Sequence, residues 1–213
     1  MSDHVLPGTQ SMSSMTLGDL FTRVRSNLNE VSAAFWTNDD LMYWANLGAK
    51  DIATQTLCMG TTAEITLVAG QLEYPLSLSL RYAVDVAAIY NSAKGLKKGG
   101  PWRVGNTDAE FAGEPVEYYL FDGHIGVYPV PAEGDDSVDK KVKVYLAELP
   151  TAMTAVTDLI PLPEIYESSL IEFVTARAKY KDRKYSEGDR HMSLFDAVIQ
   201  RYRIDFGESE VDD

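Results

Sequence analysis

Apolar residues recur at helical spacing at both ends of this chain and at every second position through its middle. Leu17, Leu20, Phe21, Val24 and Leu28 form one stripe, introduced by Thr16 with Asp19 three residues on, the spacing of a capping box. A second stripe, Leu41, Trp44, Ala45 and Ile52, follows Thr37 with Asp40 three residues on, and Phe35 and Trp36 stand where they would staple the start of that helix. The region Asn27 to Ser32 ends the first helix, and the short connection makes the two helices antiparallel neighbours.

After Met59-Gly60 the period changes to two. Ala63 to Val68 and Gln71 to Leu76 flank Ala69-Gly70 and predict a hairpin. Val84, Val86, Ala88 and Tyr90 predict a further strand, and a loop from Ser92 to Pro101 carries Lys94, Lys97 and Lys98. Val116 to Phe121 and His124 to Tyr128 bracket Asp122-Gly123, the strongest short hairpin signal in the chain. Pro129-Val130-Pro131 stops that strand, and Val142, Val144 and Leu146 mark a last one over Lys141 to Leu149.

Helical spacing then returns. Pro163 suits a first helical position, and Tyr166, Leu170, Phe173, Ala176 and Tyr180 give a buried stripe to about Arg183. Tyr185 to Asp189, with Gly188, predicts a turn, and Phe195, Val198, Ile199, Tyr202 and Phe206 a final helix. The pattern predicts an α+β fold: a bundle of about four helices, two N-terminal and two C-terminal, with a central antiparallel sheet of five or six strands inserted between the pairs. The expected division is a flexible arm over residues 1–15, a helical core over 16–60 and 151–206, a β module over 61–150, and an acidic tail over 207–213.

With 213 residues the chain is long enough to bury a sizeable core. A formal net charge of -13 argues against a main task of gripping phosphate backbones, because that affinity comes from Lys and Arg. It suits a surface that must not stick to DNA. The single cysteine, Cys58, excludes an internal disulfide and a cysteine-rich metal site, and reads as a partly buried thiol in a reducing compartment. No apolar run is long enough to cross a membrane, and the N-terminus lacks the basic start and apolar stretch of a secretory signal, so export is not expected.

Candidate chemistry is sparse. His4, His124 and His191 have no ligand spacing, and no phosphate loop, nucleophile elbow or dinucleotide fingerprint occurs. Gly134-Asp135-Asp136 reads as turn chemistry, with a metal-binding acid pair as the rival. No catalytic residue, metal or cofactor is expected. Two basic groups stand out. Arg177, Lys179, Lys181, Arg183 and Lys184 crowd the end of the third helix, where they complement the helix dipole and could also meet an acidic neighbour. Lys94, Lys97, Lys98 and Trp102 make a basic, aromatic loop that is either a solvated tip or a contact with a partner.

Taken in order, these features resemble the head-to-tail adaptor proteins of tailed bacteriophages, also called connector or head-completion proteins. The residues that carry the likeness are Phe35 to Ala53, Glu73-Tyr74-Pro75-Leu76, Gly113 to Tyr119, Ile125 to Pro131, and Leu162-Pro163-Glu164-Ile165-Tyr166 with the break over Tyr185 to Asp189. The resemblance covers about residues 16–206 and implies a non-enzymatic virion protein of the phage neck, made in the host cytoplasm. It implies a homo-oligomeric ring, dodecameric, docked under the portal protein, with double-stranded DNA passing through its lumen without sequence-specific binding, and with no membrane contact. Portal docking would fall on Ile204, Asp205, Phe206, Gly207, Glu208, Ser209, Glu210 and Val211. Tail or neighbour contacts would fall on Lys94, Lys97, Lys98, Trp102, Asp135 and Asp136, and subunit contacts on Arg177, Lys181, Arg183 and Lys184. Two alternatives stand beside it: a head-closure or tail-terminator ring of the same neck, and an unrelated ligand-binding or enzymatic domain using carboxylates such as Asp135 and Asp136.

Overall fold

The first two helices start where the capping residues put them. In the computed structural model, which describes residues 11–30, 35–76, 87–90, 94–101, 112–134 and 140–207, helix α1 spans Leu17–Leu28 and helix α2 spans Asn38–Thr56. Both begin in a complete capping box. The hydroxyl of Thr16 accepts the Asp19 N–H at 3.1 Å while the Asp19 carboxylate accepts the Thr16 N–H at 3.1 Å, and Thr37 and Asp40 repeat the arrangement. Two orphan donors are satisfied at each start. Helix α1 ends at Asn29 and α2 at Leu57, both in the left-handed conformation.

The chain divides into two units, Met1–Met59 with Pro150–Asp213, and Gly60–Leu149. The first is helical. After Pro163, which caps rather than starts the helix, a single 3₁₀ turn over Glu164–Tyr166 leads into helix α3, Glu167–Lys181, and helix α4 follows over Tyr185–Gly207. The predicted turn at Tyr185 to Asp189 is therefore helical. The chain reverses instead at Asp182 to Lys184, with Arg183 at φ 60°. Gly188 serves packing: a Cβ there would lie 2.4 Å from the Tyr180 ring, whose hydroxyl donates to Asp189 at 2.8 Å.

The core of this unit joins the stripe of α1 to Leu41, Ala45, Ala49 and Ile52 of α2, to Leu170, Phe173 and Val174 of α3, and to Phe195 and Ile199 of α4. Trp44, expected on the buried face, is half-buried and packs on the core's margin, while Gly48 and Ala49 take the inner positions. A Cβ on Gly48 would come within 2.7 Å of Phe173 and 2.8 Å of Leu170. The missing side chain lets α2 and α3 approach. Of the expected staple, Trp36 is buried and its indole N–H donates to the Ala178 carbonyl at 2.9 Å, but Phe35 remains 51 % exposed.

Residues 11–15, placed by composition in a flexible arm, lie extended against the segment before α3. Ser13 N–H donates to the Leu162 carbonyl at 2.9 Å, Ile160 N–H to Met15 at 3.0 Å, and Glu164 N–H to Ser11 at 2.9 Å. Met15 and Ser13 are buried by this pairing. Short, mixed residues carry no periodic signal for it.

Among the described residues the second unit has eight strands in two four-stranded sheets, where one sheet of five or six was expected. The strands are β1 (Gly60–Thr66), β2 (Glu73–Pro75), β3 (Ala87–Tyr90), β4 (Lys94–Gly95), β5 (Lys97–Lys98), β6 (Glu117–Phe121), β7 (His124–Tyr128) and β8 (Lys141–Ala147). One sheet has the order β1-β8-β3-β4 and the other β2-β7-β6-β5, in which β5 and β6 run parallel. The β6–β7 hairpin closes at Asp122-Gly123 as expected.

The hairpin predicted around Ala69-Gly70 does not form. The turn is real, with Gly70 at φ 73° and Gln71 N–H donating to Val68 at 3.2 Å, but β1 leaves it paired to β8 over seven residues and β2 paired to β7. The turn thus moves the chain from one sheet to the other. Tyr74 holds this corner, its hydroxyl accepting the Val68 N–H at 2.9 Å and donating to the carbonyls of that loop. Leu67, Tyr74, Tyr118, Ile125, Val127, Val142 and Val144 form the buried cluster. On the other face of the second sheet Tyr119 lies over Gly126, directly across the β6–β7 pair, and its hydroxyl donates to Glu73 on β2 at 2.7 Å.

Candidate functional site

The basic group at the end of α3 alternates along the helix, at residues 177, 179, 181, 183 and 184. Lys179 points to a different side from Arg177 and Lys181, which are four apart and share one side of the helix, and Arg183 and Lys184 lie beyond its end. Each side chain is used separately. Arg177 sits over the Phe173 ring, its guanidinium carbon 4.8 Å from the centroid. Lys179 is buried, and its ammonium meets Glu187 at 2.7 Å. Lys184 pairs with Asp182 at 2.7 Å, a tie that raises its pKa, while Arg183 is exposed in the reversal between α3 and α4.

Lys181 has the richest setting. Its ammonium donates to Asp40 Oδ2 at 2.6 Å and stands 5.7 Å from the Phe35 ring centroid and 5.9 Å from that of Trp44. The same carboxylate closes the capping box of α2. The Lys181 bond, then the Thr37 hydroxyl, hold the Asp40 carboxyl below the usual carboxylate range. One oxygen thus joins the start of α2 to the end of α3. The half-exposed Phe35 and the Trp44 edge flank it, a mixed aromatic and charged corner of the kind that anchors protein contacts.

Lys97 and Lys98 are exposed on β5, and Lys94 lies on β4. Trp102, Asp135, Asp136 and Glu208 to Asp213 lie outside the described residues. Ile204, Asp205, Phe206 and Gly207 form the last turns of α4. The stripe reasoning passed over the outward face of α2, where Tyr43 and Leu47, one turn apart, are both exposed. The signal was in the sequence: they are the large apolar residues of that helix that fall off its buried stripe.

The candidate chemistry gains little from the geometry. Cys58 is partly buried, and burial pushes its thiol up, away from the reactive thiolate. A shallow cavity of about 380 Å³ is lined in part by Asp19, Glu164 and Glu167. Asp19 is engaged in the α1 cap, and Glu167 accepts from the Ser13 hydroxyl at 2.5 Å. Among the described residues no group of three or more His, Cys, Asp or Glu side chains is placed to hold a metal ion. No helix among them is long and apolar enough to cross a membrane.

Surfaces rather than a pocket are therefore the features on which a function can be built. Comparison with curated proteins finds no match. The sequence model of the SU10 adaptor protein family matches residues 15–212, from the segment leading into α1 to beyond the end of α4. By that match the chain belongs to the SU10 adaptor protein family, a family of phage head-to-tail adaptors.

Proposed function

We propose that this chain is a structural subunit of the phage neck that closes into a ring, dodecameric, beneath the portal, continues the DNA channel and offers a platform to tail or head-closure proteins. The family match over nearly the whole chain carries the reading. The net charge of -13 supports a conduit: acidic walls repel phosphates, so DNA passes without being gripped. The working parts are then faces and termini. The end of α4 and the acidic residues after it, Ile204 to Val211, dock on the portal. Lys94 to Trp102 and the loop with Asp135 and Asp136 meet tail components. Arg183, with the Lys181 corner beside Phe35 and Trp44, faces a neighbouring subunit.

Electron microscopy of the purified protein with and without portal rings tests this. Copies adding as a closed layer under the portal are expected, and loss of that layer on removal of Glu208 to Asp213 would place the docking end. A chain that stays off the portal under all conditions overturns the reading.

A further inference from the structure

Phe35 is half exposed, and the chain around it is fixed so that it stays outside the core. The Glu30 carboxylate accepts the N–H groups of Phe35 and Trp36 at 2.8 and 3.3 Å, and Arg25 donates to the Trp36 carbonyl and to Asn38 Oδ1 at 2.9 Å. Trp36 is tied in turn to Ala178, and the Phe35 ring meets it edge-on with centroids 5.0 Å apart. A ring held in this way loses little freedom when a partner covers it. Beside it α2 turns Tyr43 and Leu47 outward next to the half-buried Trp44, and Lys181 stands between the Phe35 and Trp44 rings.

The charges at the end of α3 decide which partner fits this corner. Lys179, Lys181 and Lys184 are answered by Glu187, Asp40 and Asp182 at 2.7, 2.6 and 2.7 Å. Arg177 and Arg183 are left over: among the described residues neither has a carboxylate partner. Arg177 shares the Lys181 side of the helix, and Arg183 is exposed just beyond its end. Fixed aromatics beside surplus cations fit an acidic peptide with an apolar residue in it. This chain carries one, Glu208-Ser209-Glu210-Val211-Asp212-Asp213, four acids around Val211.

We infer that the corner of Phe35, Trp44, Lys181 and Arg183 holds residues 208–213 of a second copy of this chain. It cannot hold its own. Helix α4 starts at this corner, where the Tyr185 ring lies 6.4 Å from that of Tyr180, and its 23 residues carry the chain about 34 Å away. Six extended residues return at most about 22 Å, so residues 208–213 fall short of the corner they left. A tail of one copy in the corner of the next is a head-to-tail contact, the kind that a ring closes. The inference rests on the reading of this corner as a subunit contact and names what fills it. A tail lodged there is not on the portal, so the contact belongs to copies that have not met a portal, which then competes for the tail.

Sedimentation velocity of the full chain without portal rings tests it, over a concentration series and with far-UV circular dichroism as the check on folding. The wild type is expected to associate, more weakly as salt is raised. A corner variant, Phe35→Glu with Arg183→Glu, changes two exposed side chains and leaves the Lys181–Asp40 bond in place. A tail variant, Glu208→Ser, Glu210→Ser, Asp212→Ser and Asp213→Ser, keeps the chain at full length and removes the acids. Each variant alone should stay monomeric. Mixed, they should form a one-to-one dimer and go no further, because each pair has one intact tail and one intact corner. A wild type that stays monomeric, a corner variant that associates as the wild type does, or a mixture that forms no dimer overturns the inference. A closed layer that still adds beneath portal rings in any of those cases leaves the ring reading standing.

Discussion

A Cβ on Gly126 would lie 2.1 Å from the Tyr119 ring, so the glycine is what allows a large aromatic to lie flat across its partner strand and reach Glu73. Burial, then the Glu73 carboxylate beside it, pushes the Tyr119 phenol well above its ordinary range. A raised folded-state pKa means that the stabilisation is intact below about pH 10, the ordinary phenol value, and is lost as the pH rises through the folded value. Tyr119→Phe should therefore cost about 1 kcal/mol at pH 7, the worth of a hydrogen bond, and the difference from wild type should shrink above pH 10. Urea unfolding at pH 7 and pH 10.5 reads both, and a gap that does not change with pH defeats the account. Gly48 sets a different contest. Alanine gains about 1 kcal/mol in helix propensity, but the new methyl would press on Phe173 and Leu170, and overpacking costs about 1–3 kcal/mol. The packing loss should win, so Gly48→Ala should lower the urea midpoint; an unchanged or raised midpoint would show that the two side chains can move aside.

At the scale of elements, the helix starts carry the most information per residue. Thr37→Ala removes an N-cap and should cost about 1 kcal/mol, measured by the same unfolding curves. Asp40, whose folded pKa is depressed, supports the fold above about pH 4, the ordinary Asp value, and loses that support as the pH falls through its lower folded value. Since Lys181 is the largest cause, Lys181→Met should move the Asp40 titration, followed by NMR, back up toward the ordinary range. No movement would mean that the contact is not held in solution. These helices were legible because both signals are local: a capping pair three residues apart and a stripe of period 3.6. The same locality misled elsewhere. Gly188 reads as a turn residue, but its role is to admit Tyr180 from the preceding helix, a contact that spacing within one element cannot show. Ala69-Gly70 reads as a hairpin because the turn chemistry is right; which strand each flank then joins depends on β8 for the one and β7 for the other, both distant in the chain. The functional surfaces were less legible still. The basic cluster is visible as composition, whereas its use as separate ties to Asp40, Glu187 and Asp182 depends on which acids fold beside it.

For the whole molecule, the connection between the two units sets the last prediction. The chain leaves the helical unit at Met59 and returns at Pro150, and between them Gly60 is paired with Ala147. Paired residues on adjacent strands lie about 5 Å apart, so the points of departure and return are close, and the helical unit should tolerate their being joined directly. Its buried cluster draws on α1, α2, α3 and α4 and includes no residue of the strands, while the strand unit has its own cluster. Each unit thus meets the main requirement for folding alone, a core of its own. Replacing residues 60–149 with a short Gly-Ser linker should leave a helical protein that unfolds cooperatively. If portal docking resides on α4 and the residues after it, that shortened chain should still add to portal rings in electron micrographs while tail components no longer attach. A shortened chain that folds but ignores the portal would move the docking surface to the strand unit. One that fails to fold would show that the helical core depends on strands it does not include.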